Sequence, residues 1–240
     1  MKLGGIEPLS LLDYPGRLSA IVFTQGCNFR CPFCYNPMFV LPVNGKMLNK
    51  APGHPEITLD RLVTFLKSRQ GKLEAVVVTG GEPTLHNDLP NFLKTIKDLG
   101  FLVKLDTNGT NPEMIKKVVE EKLVDYIAMD IKAPLDKYEV LCGVTTDLEK
   151  IQTSVDFLKQ GIVDYEFRTT VPKKLLSPSD ILKMAEWLKG TKLWYLQGFV
   201  SDAKLLNPEV VGTEHYSKVE LEKIARLAGE ISGSCQVRGF

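Results

Sequence analysis

From Leu18 onward, short β-branched or apolar runs alternate with longer stretches in which apolar positions return every three or four residues. That alternation is expected of repeated βα units around a parallel sheet, and so of an α/β chain. The short runs predict six strands, at Ser19–Thr24, Ala75–Thr79, Val103–Thr107, Tyr126–Ile131, Tyr165–Thr170 and Lys192–Leu196. The longer stretches predict helices at Leu59–Gln70, Asp88–Leu99, Pro112–Glu121, Asp147–Lys159, Ser179–Lys189 and Lys218–Ile231. Thr58 is placed to cap the first helix and Ser177-Pro178-Ser179-Asp180 to open the fifth. Gly100 and Gly190 stand where a helix end wants a positive φ. Right-handed crossovers make all six strands parallel, in an open sheet or an incomplete barrel, and gather their C-terminal ends on one rim. Chemistry is expected on that rim. The stretch from Asn36 to Ile57, rich in Pro, Gly and Asn, predicts a surface loop, and one domain over residues 1–240 suffices.

Composition adds mainly exclusions. With 240 residues, 44% hydrophobic and 25% charged, the chain can build a sizeable core and is neither disordered nor fibrous. Lys and Arg number 30 against 29 Asp and Glu, so the net charge of +1 gives no argument for a nucleic-acid partner. No apolar run reaches the roughly 18 to 20 residues of a membrane helix. The start, Met1-Lys2-Leu3-Gly4-Gly5, lacks the basic-then-apolar order of a secretory signal. A cytoplasmic protein with neither membrane nor nucleic acid among its partners is expected.

Five cysteines is an odd count, and three of them form a C-x3-C-x2-C spacing, Cys27, Cys31 and Cys34, directly after the first strand. Such crowding suits a reduced compartment and a metal site better than a disulfide framework. Zinc sites usually finish with a fourth Cys or His at paired spacing, whereas His54, His86 and His215 are scattered, which makes zinc the weaker reading. Three thiolates on a [4Fe–4S] cube leave one iron open to a substrate or cofactor. Cys142 and Cys235 are too few for a second four-thiolate cluster and read as small buried residues.

The other strands also end in polar residues. Thr79-Gly80-Gly81-Glu82-Pro83 follows the second, with glycines that let a backbone approach closely and a carboxylate able to meet an ammonium. Asp106-Thr107-Asn108-Gly109 ends the third; Asp130 and Lys132, on one face by period 2, end the fourth. Arg168 and Gln197 lie on the fifth and sixth. Each segment also has a plain structural reading: a tight turn for the glycines, a pair at a sheet end for Asp130 and Lys132, ordinary packing for Arg168 and Gln197.

The cysteine loop, with aromatic Phe33 before its third cysteine, resembles the signature of radical S-adenosylmethionine enzymes. That resemblance implies a partial (βα)6 barrel of the radical SAM type, and a [4Fe–4S] cluster on Cys27, Cys31 and Cys34 whose open iron is chelated by S-adenosyl-L-methionine. One electron then breaks the sulfonium bond, releasing methionine and a 5′-deoxyadenosyl radical that takes a hydrogen atom from the target. By the same resemblance Gly80, Gly81 and Glu82 bind the methionyl amino group. The Asp-Thr-Asn-Gly and Asp-x-Lys segments are similar to those of glycyl-radical activating enzymes, which implies that Lys132 neutralises the methionyl carboxylate. Asp106, Thr107 and Asp130, with the Ala128 carbonyl, would hold a monovalent cation. Arg168 matches an arginine near the cofactor, and Gln197 stands where some relatives carry histidine.

Asp13-Tyr14-Pro15-Gly16, Thr24-Gln25-Gly26-Cys27-Asn28 and Tyr195-Leu196-Gln197 resemble activating proteins of anaerobic ribonucleoside-triphosphate reductase. Pyruvate formate-lyase activating enzymes share the core segments. The implied reaction removes a glycine Cα hydrogen in a partner glycyl-radical enzyme, with electrons from a flavodoxin- or ferredoxin-type donor. Two further readings stay open: a radical enzyme acting on a small molecule or peptide, and a non-catalytic metal protein, either a zinc-stabilised binding module or an electron carrier. The last leaves the polar strand ends unexplained.

Overall fold

A computed structural model describes residues 1–40, 57–200, 205–210, 212 and 214–239. The predicted loop over Asn36–Ile57 falls mostly outside these residues, as does His54. The chain divides into two compact units, one of Met1–Asn28, Met38–Ala128 and Ile162–Asp164, the other of Phe29–Pro37, Met129–Gly161 and Tyr165–Phe240.

The first unit carries β1 (Leu3–Ser10), β2 (Ser19–Thr24), α1 (Leu59–Arg69), β3 (Ala75–Gly80), α2 (Leu89–Asp98), β4 (Leu102–Thr107) and α3 (Pro112–Glu120), and the start of β5 (Tyr126–Asp130). Strand order follows chain order. β2, β3 and β4 are parallel, with Val22 opposite Val78 and Val78 opposite Leu105. Ala75-Val76-Val77-Val78 is wholly buried because a parallel strand is covered on both faces. Tyr14 and Ile21 pack with Ala75 and Val77 on one face, while α2 lies against β4. Thr58 caps α1 by accepting the Arg61 N–H, and Gly100 has φ +89° at the end of α2, both as the sequence predicts.

The second unit carries the end of β5, α4 (Tyr138–Cys142), α5 (Leu148–Lys159), β6 (Asp164–Val171, from Tyr165), α6 (Pro178–Trp187), β7 (Trp194–Gly198), α7 (Lys218–Ser232) and β8 (Gln236–Arg238). β6, β7 and β8 run parallel, Arg168 opposite Tyr195 and Gln197 opposite Arg238. α6 and α7 pack together, and each begins with a capping box, Ser177 with Asp180 and Ser217 with Glu220.

The architecture is thus the expected α/β fold with a mostly parallel sheet. Among the described residues, strands β1 and β8 and the short α-helix α4 are additional to the predicted set. β1, which lies outside the six predicted strands, is antiparallel to β2. Its Gly4, Gly5 and Pro8 hide it from a pattern search. Gly4 is required because a Cβ there would lie 2.5 Å from the Phe39 ring. Among the described residues no helix is long and apolar enough to cross a membrane.

Candidate cluster and cofactor site

In the first unit the end of β3 is built onto the approach to the cysteine loop. Gly81 N–H donates to the Thr24 carbonyl at 2.9 Å, and Glu82 N–H donates to the Gly26 carbonyl at 2.7 Å. The two glycines are needed for this contact between protein backbones. A Cβ on Gly81 would lie 2.0 Å from the Gly26 oxygen, and one on Gly80, where φ is +113°, 2.4 Å from Thr24 N. His86 Nε2 lies 3.0 Å from the Gln25 carbonyl and must donate to it, since a carbonyl only accepts. That ring is spent as a brace on the segment leading to Cys27.

Glu82 is 1% exposed, and its carboxylate is surrounded by donors. Oε1 accepts from Thr84 N (3.1 Å), Thr84 Oγ1 (2.6 Å) and Thr107 Oγ1 (2.7 Å); Oε2 accepts from Asn108 N at 2.6 Å. Burial raises its pKa while these bonds oppose the rise. The side chain therefore joins the ends of β3 and β4 and turns away from the open solvent in which an ammonium would arrive. Asn108 continues the chain of bonds: its Nδ2 donates to Asn28 Oδ1 at 2.8 Å, and Asn28 Nδ2 donates to Thr110 Oγ1 at 2.9 Å. Asn28, beside Cys27, is thus tied through Asn108 to Glu82. Asp106 accepts from Lys104 Nζ at 2.7 Å. Lys104 is the functional candidate that sequence reasoning does not reach, although a lysine inside the apolar run Leu102-Val103-Lys104-Leu105 is itself a signal.

The close approach at Gly81 gives a direct expectation. Gly81→Ala must push the Gly26 backbone away, and overpacking of this kind costs about 1–3 kcal/mol. Denaturant unfolding should register that loss, and iron retained after reconstitution should fall with it. Gly5→Ala, whose nearest neighbour would be a Phe23 ring carbon at 3.6 Å, should change neither.

In the second unit Cys34 N–H donates to the Cys31 carbonyl at 3.1 Å, closing a tight turn between two candidate ligands. The Cys142 thiol hydrogen-bonds Cys31 and, against burial, holds its pKa below the usual thiol range, with Lys132 pulling the same way. Cys34 is pushed up by burial. Arg30 N–H donates to the Cys142 carbonyl at 2.7 Å, which fixes α4 beside the loop. Cys142 is fully buried, as the sequence predicts. Cys235 is half-buried, its thiol pushed up to about 12 by burial.

Asp130 is the centre of a charged cluster. Its Oδ2 accepts from Lys132 Nζ and its Oδ1 from Arg168 Nε, each at 2.9 Å. Burial disfavours the carboxylate, but Arg168 and then Lys132 outweigh it and hold the Asp130 pKa down at about 2. Lys132 is correspondingly raised, burial opposing and Asp130 prevailing. Two cations against one anion leave a net charge of +1. Ile131 N–H bonds the Arg168 carbonyl at 2.8 Å and Thr169 Oγ1 bonds the Ile131 carbonyl at 2.8 Å, so β5 and β6 hold the cluster in register. Gln197 lies opposite Thr170 and Arg238 on β7. The buried Glu166 pairs with Arg238 at 2.6 Å, a partnership that β8 creates and the predicted strands lack.

Cys27 belongs to the first unit and Cys31 and Cys34 to the second. None of the five cysteines is in a disulfide. Among the described residues, no three His, Cys, Asp or Glu side chains form a metal-holding group. The donor chemistry nevertheless suits an iron–sulfur cluster: three thiols lie within eight residues, one is drawn toward the thiolate, and the nearby histidine is committed elsewhere. The charge excess around Asp130 likewise suits the carboxylate end of a zwitterionic cofactor.

Comparison with known proteins agrees with this chemistry. A family described as the Radical SAM superfamily matches residues 21–188. The chain is 35% identical over 226 residues to a candidate glycyl-radical enzyme activating enzyme of Methanocaldococcus jannaschii, covering 92% of this chain and 86% of that protein. It is 28% identical over 227 residues to the pyruvate formate-lyase-activating enzyme of Clostridium pasteurianum, covering 92% and 87%. Among solved structures, SuiB of Streptococcus suis bound to its precursor peptide SuiA superposes with a TM-score of 0.66 at 14% identity, over 91% of this chain and 48% of that one.

Proposed function

Because the chain belongs to the radical SAM superfamily, among the glycyl-radical enzyme activating enzymes, we propose that it activates anaerobic ribonucleoside-triphosphate reductase by removing a glycine Cα hydrogen. Cys27, Cys31 and Cys34 hold a [4Fe–4S] cluster that, when bound, supplies the electron for reductive cleavage of S-adenosylmethionine. Lys132 and Arg168, with Asp130 keeping them in place, receive the methionyl carboxylate. The Gly80–Glu82 turn offers backbone carbonyls to the amino group, its Glu82 carboxylate serving as the internal clamp. Gln197, on the strand-end rim, is assigned to the same cofactor. One radical SAM domain over residues 1–240 acts in the cytoplasm and takes its electron from a flavodoxin- or ferredoxin-type protein.

The observation that carries the reading is Lys132. It meets Asp130 at 2.9 Å, and its charge adds to the Cys142 hydrogen bond in drawing Cys31 toward the thiolate, so one residue links a cluster ligand to the anion-binding cluster. Activation of pyruvate formate-lyase is the second reading, favoured by the Clostridium pasteurianum relative.

Anaerobic reconstitution with iron and sulfide, then reduction with S-adenosylmethionine and each purified partner in turn, separates the two. A glycine-centred EPR signal with the reductase, and none with pyruvate formate-lyase, is expected. The reverse outcome supports the second reading. Cofactor cleavage that modifies only a small molecule or peptide, or a single bound zinc without cleavage, removes both.

A further inference from the structure

Lys104 sits in β4, and at 1% exposed it is among the largest fully buried side chains of the protein. Lysine is almost never so deeply buried unless its charge is paired. The partner is Asp106, two residues along and therefore on the same strand face, with Nζ to Oδ1 at 2.7 Å. Asp106 is the residue to which the family resemblance assigns a monovalent cation. An ammonium group and a potassium ion carry the same single charge and seek the same hard oxygen donors. Here the ammonium is covalently part of the strand.

The side-chain oxygens of the other two residues named for such a cation, Thr107 and Asp130, are similarly engaged. Thr107 Oγ1 gives its proton to Glu82 and accepts from Gly109 N–H at 3.1 Å. In the second unit, Asp130 has Lys132 on one oxygen and Arg168 on the other. A metal ion arriving at Asp106 would meet the repulsion of Lys104. Displacing Lys104 would leave a buried ammonium without its counter-charge.

We propose that Lys104 is a built-in cation: its ammonium does at Asp106 what a monovalent metal ion would do, so that this enzyme binds S-adenosylmethionine without requiring sodium or potassium. This rests on the cofactor reading above. Lys104 acts through Asp106 and is a positioning residue.

The test is the S-adenosylmethionine dissociation constant of the cluster-loaded wild-type enzyme, by anaerobic equilibrium dialysis, with N-methylglucamine as the sole cation and then with potassium or sodium at equal ionic strength. Values agreeing within about twofold are expected, and the 23Na NMR line should not broaden beyond that of bulk ions. Tightening by about tenfold or more on adding potassium would overturn the proposal. Lys104→Met should weaken binding in N-methylglucamine and recover about tenfold in potassium. A folded Lys104→Met enzyme whose affinity is unchanged, or lost without rescue, also overturns it. Should that variant fail to fold, the wild-type comparison decides alone. Wild-type enzyme that binds no cofactor in any buffer overturns the functional reading, and this inference with it, whereas binding that needs potassium overturns this inference alone.

Discussion

Alanine at Cys27, Cys31 or Cys34 should abolish S-adenosylmethionine cleavage, whereas alanine at Cys235 leaves it largely intact and alanine at Cys142 lowers it without abolishing it. Changes to groups that merely support metal ligands cost roughly 10–100-fold, so removal of a ligand must cost more, and residual activity below about 1% is expected. Cys142 is the discriminating control. It is fully buried and hydrogen-bonds Cys31, so Cys142→Ala releases the Cys31 thiol toward its ordinary pKa without removing a thiolate from the set. A fall of about tenfold, the lower end of that range, is expected from that supporting role. Iron and sulfide content, with methionine released under reducing conditions, measures both. Equal loss at Cys142 would make it a ligand. Cys235 is set apart in the sequence at the edge of β8, and its high pKa disfavours ligation.

The sequence makes some of this architecture legible and not the rest, for identifiable reasons. β2 is predicted over its full extent, Ser19–Thr24, because a strand buried on both faces is an unbroken apolar run. Helix starts at Thr58 and Ser177 are legible because a cap is a local bond between near neighbours. β1 and β8 are not. β1 is rich in glycine and contains Pro8, and β8 has only three residues, so each exists through its pairing to a neighbouring strand, β2 and β7 respectively. α4 is a five-residue element ended by Gly143 in the left-handed region at φ +68°, too short for a helical period to show.

The same division runs through the site. The spacing of Cys27, Cys31 and Cys34 and the polar strand ends are visible as residue types. Which carboxylate faces which donor is a three-dimensional matter. Glu82 reads as a partner for an ammonium, and only the fold shows that Thr84, Thr107 and Asn108 donate to its oxygens. Asp130 and Lys132 read as a possible sheet-end pair, and only β6 brings Arg168 to make the pair a triad with excess positive charge. Lys104 is lost in an apolar run although it is two positions from a residue singled out for its chemistry.

The second large effect is expected at that triad. Asp130→Asn keeps the shape of the side chain and removes its charge, taking away the carboxylate that Lys132 and Arg168 share. Breaking a buried pair from one side costs about 3–5 kcal/mol, and the lower figure applies because 28% of the Asp130 side chain still meets solvent. Denaturant unfolding of the apoprotein near neutral pH should therefore show a loss of about 3 kcal/mol. The effect has a defined pH window. With its folded pKa depressed to about 2 from the ordinary 3.8, Asp130 contributes fully above the ordinary value, and that contribution disappears as pH falls through about 2. The stability difference between wild type and Asp130→Asn should shrink over that window. Lys132→Met separates binding from stability: Asp130 keeps Arg168, while the charge opposite the methionyl carboxylate is gone. Cofactor affinity should fall by about tenfold or more with iron content preserved. Combining the two changes removes an anion and one of its two cations, so the double variant should lose less stability than the two single losses added together, by an interaction energy of about 0.5–3 kcal/mol. Strict additivity would mean that the 2.9 Å contact between Asp130 and Lys132 contributes nothing, and the cluster would lose its claim to be the carboxylate site.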